Sequence, residues 1–194
     1  MSLAFFDFDG TLTKRDSILP FGLCLARAKQ NKRGGTAHFA LLMICLKSRM
    51  LSNHQFKESF CRSFLAGESE KEIDDFSRMF TARYLEGILN RPVVEALRSH
   101  QQKGDEVYLV SSNFTFLLRP LQLTWNSSGV IATDLEVRAG RFTGRINGRT
   151  CHGPEKLSRV LAVFDSERVR QATAYGDSRS DRHLLSFVKT AVWV

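Results

Sequence analysis

Residues 3–13 of the chain read LAFFDFDGTLT, an apolar run that leads two carboxylates into a glycine turn. Side chains two positions apart in an extended segment point the same way, so Asp7 and Asp9 form a co-facing acid pair. A strand that is apolar on both faces belongs inside a parallel sheet, and ligands of such sheets collect beyond the carboxyl ends of the strands. The acid pair therefore stands where a binding site is expected.

The remaining sequence divides into a helical block and an alternating block. From residue 17 to about residue 97 the periodicity is helical, interrupted by glycines at 34–35 and 67. From residue 91 onward strands and helices alternate, which is typical of βαβ units and a parallel sheet. The predicted helices are 18–30, 37–49, 53–65, 70–89, 92–103, 154–164 and 179–187, and the later strands are 106–111, 130–137, 141–146, 171–175 and 190–194, with a hairpin turn at 139–140. This order predicts an α/β fold with a helical insertion after its first strand.

The composition narrows the class of protein. With 194 residues, 43% of them hydrophobic and 25% charged, the chain is long enough for one globular domain, or for one with a large insertion. Its net charge of +8 favours an anionic partner, such as a phosphorylated metabolite, a membrane surface or a nucleic acid. The four cysteines show no spacing typical of disulfide frameworks or zinc sites, so we interpret them as thiols of a reducing cytosol.

No targeting segment, membrane-spanning segment or nucleic-acid partner is expected. The N-terminus lacks the basic region, apolar stretch and cleavage site of a signal peptide. The longest apolar run, residues 39–46, is far shorter than the roughly 20 residues that a membrane-spanning helix requires. The sequence contains no Arg/Lys-rich helix with interleaved aromatic residues, which is the pattern typical of a protein that binds a nucleic-acid groove. We therefore predict a soluble, cytoplasmic protein.

Polar residues follow the predicted strands or begin the predicted helices at four places. They are Asp7 with Asp9, Ser111, Lys156, and Asp177 with Asp181. Carboxylates that share one crevice repel each other unless a cation lies among them, and hard oxygen ligands suit Mg²⁺. A carboxylate nucleophile, a hydroxyl and a lysine beside a metal fit phosphoryl transfer, in which positioning and charge neutralisation dominate. The expected substrate is therefore a phosphate.

In this order, the four groups resemble the four motifs of the haloacid dehalogenase superfamily. The matching residues are DFDGTLT at 7–13, Ser111 at a strand end, Lys156, and GDSRSD at 176–181. The resemblance covers the whole chain. It implies a Rossmann-like parallel-sheet core at 1–15 and 91–194, flanked by helices, and an inserted helical-bundle cap of the C1 type at 16–90. A four-helix cap in this place is most similar to the phosphoserine-phosphatase-like branch, subfamily IB.

The resemblance also implies catalytic and metal-binding roles. Asp7 would attack phosphorus and become an aspartyl-phosphate, and Asp9 would protonate the leaving oxygen and then activate the hydrolytic water. One carboxylate can do both tasks if its environment differs from that of its neighbour. Mg²⁺ would be held by Asp7, by Asp9 through its backbone carbonyl, and by Asp177.

Other residues would bind the phosphate or support the metal ligands. Ser111 and the backbone N–H of Ser112 would bind phosphate oxygens, and Lys156 would offset the charge between Asp7 and the phosphate. Three further residues would stand behind the ligands and orient them: Thr11, Ser178 and Asp181.

Several of these residues have an ordinary structural alternative. Ser111 could cap a helix that begins near residue 114, and Asp177 could cap the helix from residue 179. Lys156 taken alone is typical of a solvated helix lysine. We interpret three neighbours of the site as structural: Cys151, His152 and His183.

Asp16 and Arg62 are the candidate specificity residues. Asp16 lies where phosphoserine phosphatases resemble one another in carrying an acid that reads the substrate amine, and it could equally cap the next helix. The cap arginine of that family aligns with Ser63, and the adjacent Arg62 would face about 100° away on a helix. The segment 111–113 reads SSN rather than the Ser-Gly-Gly typical of those enzymes. The sequence therefore leaves the substrate open.

The leading hypothesis is a Mg²⁺-dependent phosphatase for a small phosphorylated metabolite, acting as a monomer or homodimer. One alternative is a phospholipid-type phosphatase at a membrane surface, because the first two cap helices are apolar and are flanked by Lys29, Lys32, Arg33, Lys47 and Arg49. Another is a receiver-like phospho-acceptor module, which the long insertion and the second acid argue against. Transfer of the phosphoryl group to an acceptor other than water also stays open.

Overall fold

The computed structural model describes residues 1–28, 35–48 and 50–194, and its centre is a sheet of five parallel strands. In chain order the strands are β1 (Leu3–Phe6), β2 (Glu106–Phe114), β3 (Gly129–Thr133), β4 (Leu135–Arg138), β5 (Arg141–Ile146), β6 (Thr173–Gly176) and β7 (Thr190–Trp193). The sheet has the order β3-β2-β1-β6-β7, while β4 and β5 form a separate antiparallel hairpin. The predicted α/β fold is confirmed.

Helices flank the sheet and fill the insertion. Within the described ranges they are α1 (Ile18–Ala28), α2 (Gly35–Lys47), α3 (Asn53–Phe60), α4 (Glu70–Tyr84), α5 (Arg91–Gln102), α6 (Thr115–Thr124), α7 (Pro154–Val163), α8 (Ser166–Arg170) and α9 (Arg182–Leu185). A π turn (Cys61–Leu65) continues α3, and a 3₁₀ turn (Leu85–Ile88) follows α4. Local sequence explains several helix starts, because Ser52 and Gln55 form a capping box on α3 and a proline opens α5 and α7.

β1 is central because both of its faces are covered. Ala4 and Phe6 pack in one core with residues of α5 and α6, whereas Leu3 and Phe5 pack in another with residues of α7, α8 and α9. All four side chains are buried. Alternation along an extended strand sends neighbouring side chains to opposite faces, so only a strand that is apolar throughout can fill this place.

The helices α1 to α4, which we call the cap, share one hydrophobic core. This core is rich in phenylalanine, and Phe21 contacts the rings of Phe76, Phe80 and Phe116. Phe116 belongs to α6, so the cap core is continuous with side chains that follow β2. The cap is therefore packed directly against the segment that carries Ser111. Its predicted boundaries, residues 16 and 90, stay a prediction.

The hairpin of β4 and β5 also contacts the cap. The backbone N–H of Gly67 donates to the carbonyl of Phe142 at 2.7 Å, and the N–H of Phe142 donates to the carbonyl of Glu68 at 2.9 Å. Phe142 is buried in the cap core. The sequence assigns this hairpin to the part of the chain that forms the parallel sheet, yet the hairpin lies beside the inserted helices. The reason is that its apolar residues are buried by the cap and not by the sheet.

Several predicted bounds differ from the structure. Residues 130–137, predicted as one strand, split at Asp134 into β3, which pairs with β2, and β4, which pairs with β5. The Asp134 side chain accepts hydrogen bonds from Thr115 at 2.6 Å and Arg159 at 3.2 Å. The strand predicted to end at residue 111 continues to Phe114. The helix predicted over 179–187 is reduced to α9, and α8 was not predicted at all.

Some predictions fall on residues that the structure does not describe. Residues 29–34 and 49 include the ends of the first two predicted helices and Gly34 of the predicted break. They also include four of the five flanking basic residues, all but Lys47. In the ranges that are described, no helix is both long enough and apolar enough to span a membrane.

Candidate active site

The predicted acid pair follows β1 at the carboxyl edge of the sheet. β1 lies between β2 and β6, so the ends of these three strands are adjacent. The backbone N–H of Asp7 donates to the carbonyl of Tyr175 in β6 at 3.0 Å, which continues the parallel ladder by one residue. The C-terminal part of β2 and the segment after β6 are therefore brought next to Asp7.

Lys156 is the centre of a buried ion-pair network. It lies in the first turn of α7 and is 1% exposed. Its Nζ donates to Asp7 Oδ1 at 2.6 Å and forms a second, short hydrogen bond with Asp181 Oδ1. Burial alone would lower the pKa of Lys156, but the two carboxylates outweigh burial and raise it, so the lysine stays charged. The alternative of a solvated helix lysine is wrong.

Three carboxylates meet beside Lys156. One oxygen each of Asp7, Asp177 and Asp181 lies within 4.8 Å of the others. Asp7 and Asp181 are buried, whereas Asp177 is exposed at the rim. Burial raises the pKa of Asp7 to about 6, although Lys156 opposes this rise. The resemblance assigns Asp181 a supporting position, yet the structure places one of its oxygens within the cluster.

Hydroxyl groups orient two of these carboxylates. Thr11 Oγ1 donates to Asp177 Oδ1 at 3.3 Å. The amide and the hydroxyl of Ser178 donate to Asp181 Oδ2 at 3.0 and 2.6 Å. Burial would raise the pKa of Asp181, but Lys156 and the hydrogen bonds from Ser178 hold it below its usual value. Both hydroxyls thus contact a carboxylate of the cluster, and their part in catalysis stays a prediction.

The Asp9 carboxylate is turned away from this cluster. Its Oδ1 accepts the backbone N–H of Ser17 at 2.9 Å, and its Oδ2 accepts Asn113 Nδ2 at 2.8 Å. Burial raises the pKa of Asp9 to about 7, and the nearby charge of Asp16 adds to the rise. A carboxyl group that exchanges its proton near neutral pH is suited to general acid–base work.

Ser111 and Ser112 lie at the end of β2, next to the acid pair. Ser111 is buried, and its Oγ accepts the backbone N–H of Asn113 at 3.1 Å. It does not cap a helix, because α6 begins at Thr115 without a side-chain cap. The carbonyl of Ser112 accepts Thr133 Oγ1 at 2.8 Å. The two serines are thus held at the same sheet edge as Asp7.

A family model for haloacid dehalogenase-like hydrolases matches residues 4–186. The chain belongs to this family. The matched stretch contains the acid pair after β1, the serines near the end of β2, Lys156 and the acids after β6. The predicted membership of the haloacid dehalogenase family, and with it the prediction of a hydrolase, is confirmed.

Curated relatives of this family member cover most of its length. Protein CicA of Caulobacter vibrioides is 28% identical over 95% of this chain and 82% of the relative. Phosphoserine phosphatase SerB1 of Mycobacterium tuberculosis is 27% identical over 97% of this chain and 63% of the relative. Histidinol-phosphatase of Neisseria meningitidis is 31% identical over 67% of this chain and 61% of the relative. Two of these three relatives are named as phosphatases.

Solved structures share the same fold. A protein of unknown function from Bordetella pertussis matches with a TM-score of 0.84 at 28% identity, over 98% of this chain and 88% of that chain. A substrate-bound phosphoserine phosphatase matches with a TM-score of 0.65 at 16% identity, over 98% of this chain and 84% of that chain. The second likeness concerns the fold alone. Together they confirm the phosphoserine-phosphatase-like architecture of this haloacid dehalogenase-like hydrolase.

The two candidate specificity residues lie in different surroundings. Asp16 Oδ1 accepts the backbone N–H groups of Ile18 at 2.9 Å and Leu19 at 3.2 Å, so the capping role is present. Arg62 is 67% exposed, and its Nη2 lies 3.8 Å from Glu58 Oε2. The structure therefore places Asp16 near Asp9 and leaves Arg62 on the cap surface. A substrate-reading role for either residue stays a prediction.

The structure brings to the site two residues, Asn113 and Lys57, for which no role was predicted. Asn113 joins Asp9 to Ser17, whose Oγ accepts Asn113 Nδ2 at 2.9 Å. Lys57 reaches from α3 to the carbonyl of Ser112. The sequence indicates that both positions are unusual. Asn113 replaces a glycine of the family pattern. Lys57 stands three residues before the buried Phe60, in the apolar stripe of its helix.

Cys151 lies at the same end of the sheet as the site, but its side chain is not exposed to solvent. The thiol is buried, and burial raises its pKa to about 11. The backbone N–H of Cys151 donates to Thr133 Oγ1 at 3.0 Å. A thiol that stays protonated at neutral pH is a poor nucleophile, in agreement with the predicted structural role.

The donor set and the backbone around it fit a magnesium ion. The cluster of Asp7, Asp177 and Asp181 offers only carboxylate oxygens, the ligands that Mg²⁺ prefers. Gly10 leaves room for the Asp177 carboxylate, because a Cβ at this position would lie 2.2 Å from Asp177 Oδ2. The φ of Gly10 is 89°, a conformation that suits glycine. The glycine of the first motif thus allows Asp177 to approach the acid pair.

Gly10→Ala is expected to weaken Mg²⁺ binding by about 10- to 100-fold, because the new methyl group displaces Asp177. Titration of activity or of heat with Mg²⁺ measures the change. Gly104→Ala is the control for backbone strain, since Gly104 has a φ of 78° and nothing within 4 Å of its missing Cβ. Equal Mg²⁺ affinity in both variants and the wild type would show that Asp177 is not a ligand.

Proposed function

We propose that this protein is a Mg²⁺-dependent phosphatase that hydrolyses a small phosphomonoester through an aspartyl-phosphate on Asp7. The observation that carries the proposal is the division of labour between the two acids. Asp7 lies in the carboxylate cluster with one oxygen on Lys156, while Asp9, two residues later, is held outside the cluster by Ser17 and Asn113. This arrangement supports attack by Asp7 and proton transfer by Asp9.

In the first half-reaction Asp7 attacks the phosphorus atom. Lys156 occupies Oδ1, so Oδ2 is the oxygen that forms the new bond. The bond from phosphorus to the alcohol oxygen breaks, and Asp9 gives its proton to that oxygen. The product alcohol leaves, and the phosphoryl group stays on Asp7.

In the second half-reaction Asp9 takes a proton from water as the water attacks the same phosphorus atom. The bond to Asp7 breaks, which restores its carboxylate and releases inorganic phosphate. Ser111, the N–H of Ser112 and Lys156 would bind the oxygens of the phosphoryl group through both steps. Asp7, Asp177 and the backbone carbonyl of Asp9 would hold Mg²⁺, with Asp181 orienting the ligands. The bound ion would offset negative charge on the phosphate.

The test is phosphate release from p-nitrophenyl phosphate, with Mg²⁺ or with EDTA, followed by a panel of amino-acid, sugar and lipid phosphomonoesters. We expect turnover with Mg²⁺ and a loss of at least 100-fold with EDTA, since several kcal/mol of charge stabilisation are removed. If the folded protein turned over no member of the panel in Mg²⁺, the phosphatase proposal would be wrong.

The panel includes lipids because one observation favours the second candidate, a phospholipid-type phosphatase at a membrane surface. α2 exposes Leu41 and Ile44 one turn apart, and Met50 beyond it is exposed as well. Exposed apolar side chains on one helix face are typical of surfaces that meet a partner or a membrane. Turnover of lipid substrates in micelles, with none of the soluble panel, would favour this candidate.

A further inference from the structure

The cap contributes a buried cation, Lys57. Lys57 of α3 is 3% exposed, and its Nζ donates to the carbonyl of Ser112 and lies 5.9 Å from the centre of the Phe114 ring. Among the residues that the structure describes, no carboxylate forms an ion pair with it. By contrast, the other buried lysine of this region, Lys156, is paired with two carboxylates.

A buried ammonium without a counter-ion is unfavourable for folding. Burial lowers the pKa of Lys57 to about 8, although the charges of Asp16 and Asp9 oppose this. A neutral side chain of similar length would fill the same space without this penalty. The position is therefore explained if an anion that is not part of the protein supplies the missing charge.

The surroundings of Lys57 show where such an anion would come from. Ser112, which accepts its hydrogen bond, is next to Asn113, and Asn113 donates to Asp9. In the proposed reaction Asp9 protonates the leaving oxygen of the substrate. Lys57 therefore lies on the Asp9 side of the site, and the alcohol part of the substrate is attached to the oxygen that Asp9 would protonate.

A cleft lies beside the N-terminal part of α3. His54 lies one turn before Lys57 on α3, and together with Arg149 and His152 it lines a space of about 520 Å³. Burial and the charge of Lys57 both lower the pKa of His152, so the charge of Lys57 acts on a residue of this cleft. The acidic residue of the lining, Glu155, already has Arg159 at 3.5 Å.

We propose that Lys57 binds a second anionic group, a carboxylate or a phosphate, on the alcohol part of the substrate. Lys57 is then a specificity residue that selects phosphomonoesters with such a group. The inference rests on the proposed phosphatase function. The group can belong to a soluble metabolite or to a lipid head group, because both present the same anionic oxygens to the ammonium.

The test compares three-carbon phosphomonoesters that differ only at the far carbon: glycerol 3-phosphate, 3-phosphoglycerate and glycerol 1,3-bisphosphate. We expect the wild type to prefer a charged member over glycerol 3-phosphate. In Lys57→Met the ratio of kcat/KM for charged over uncharged substrate should fall by about 10- to 100-fold, mainly through KM. Lys57→Arg should keep most of the preference, and Lys71→Met, a change of an exposed cap lysine, should keep all of it.

A lipid arm identifies the source of the group. It uses a glycerophospholipid whose head group carries a phosphodiester and a terminal phosphomonoester, in detergent micelles. A Lys57-dependent rate in micelles alone assigns the lipid source, and a Lys57-dependent preference in solution assigns the soluble one. A wild type without preference, or an equal loss on all substrates in Lys57→Met, would overturn the inference. A wild type that hydrolyses nothing, p-nitrophenyl phosphate included, would instead overturn the phosphatase function.

Protein stability gives a second, independent readout. If Lys57 serves a ligand, Lys57→Met should unfold in urea at the same or a higher concentration than the wild type, because an unpaired buried charge is removed. If Lys57 instead ties the cap to the core through Ser112, the variant should unfold at a clearly lower urea concentration. That result, or a failure of the variant to fold, would contradict the inference.

Discussion

Asp7→Asn is expected to lose Mg²⁺-dependent hydrolysis of p-nitrophenyl phosphate by on the order of 10⁴-fold or more. The amide cannot form the acyl-phosphate, and it removes a charged oxygen from the cluster that Asp177 and Asp181 complete. The fold should survive, because Lys156 keeps its hydrogen bond with Asp181. Steady-state phosphate release, with circular dichroism as the check on folding, measures the effect.

The control for this variant makes the same chemical change at the opposite edge of the sheet. Asp105 precedes β2, and its Oδ2 lies 2.7 Å from His100 Nδ1, far along the strands from the site. Asp105→Asn should therefore turn over at the wild-type rate. If Asp7→Asn kept even one hundredth of the wild-type rate, Asp7 could not be the nucleophile that the mechanism requires.

Lys156→Met is expected to lower the free energy of unfolding of the metal-free protein by about 3–5 kcal/mol. The change leaves Asp7 and Asp181 facing each other in a buried site without the cation that separates their charges. Mg²⁺ should restore part of the loss, and at about 100 times its Kd a bound ligand adds about 2.7 kcal/mol. Urea unfolding with Mg²⁺ and with EDTA measures both values.

Lys103→Met is the control for this experiment, because Lys103 is exposed after α5. It should change the free energy of unfolding by no more than about 0.5 kcal/mol, with or without Mg²⁺. An unchanged stability in Lys156→Met would mean that the two carboxylates are compensated by other groups. A loss that Mg²⁺ does not reduce would argue against a cation site at Asp7.

The central strand and the site at its end could be predicted because their signals are local. Residues 3–6 are apolar at every position, and only a strand covered on both faces requires this pattern. The acids of residues 7 and 9 follow it directly, and the acids of residues 177 and 181 follow another strand. Since parallel strands end at one edge of a sheet, sequence order alone indicates that these groups converge.

The contacts that each carboxylate makes within the site could not be predicted in the same way. Alternation along the first strand predicts that Asp7 and Asp9 face the same way. In the structure the Asp9 carboxylate instead turns to Ser17 and Asn113. The reason is that the strand ends at Phe6, so alternation no longer governs the direction of Asp9. Asp181 joins the carboxylate cluster through Lys156, a contact between residues 25 positions apart.

The sequence by itself determined the parallel-sheet core, the helical insertion and the set of acids, because each depends on a repeating pattern or on residues a few positions apart. Only the tertiary structure decided that Lys57 of the cap lies against Ser112 and that residues 135–146 pack on the cap. Lys57 and Ser112 are 55 positions apart, and no local periodicity specifies which segments meet over such a distance. Their contact is set by how the phenylalanine-rich cap buries its apolar faces against the segment that follows β2.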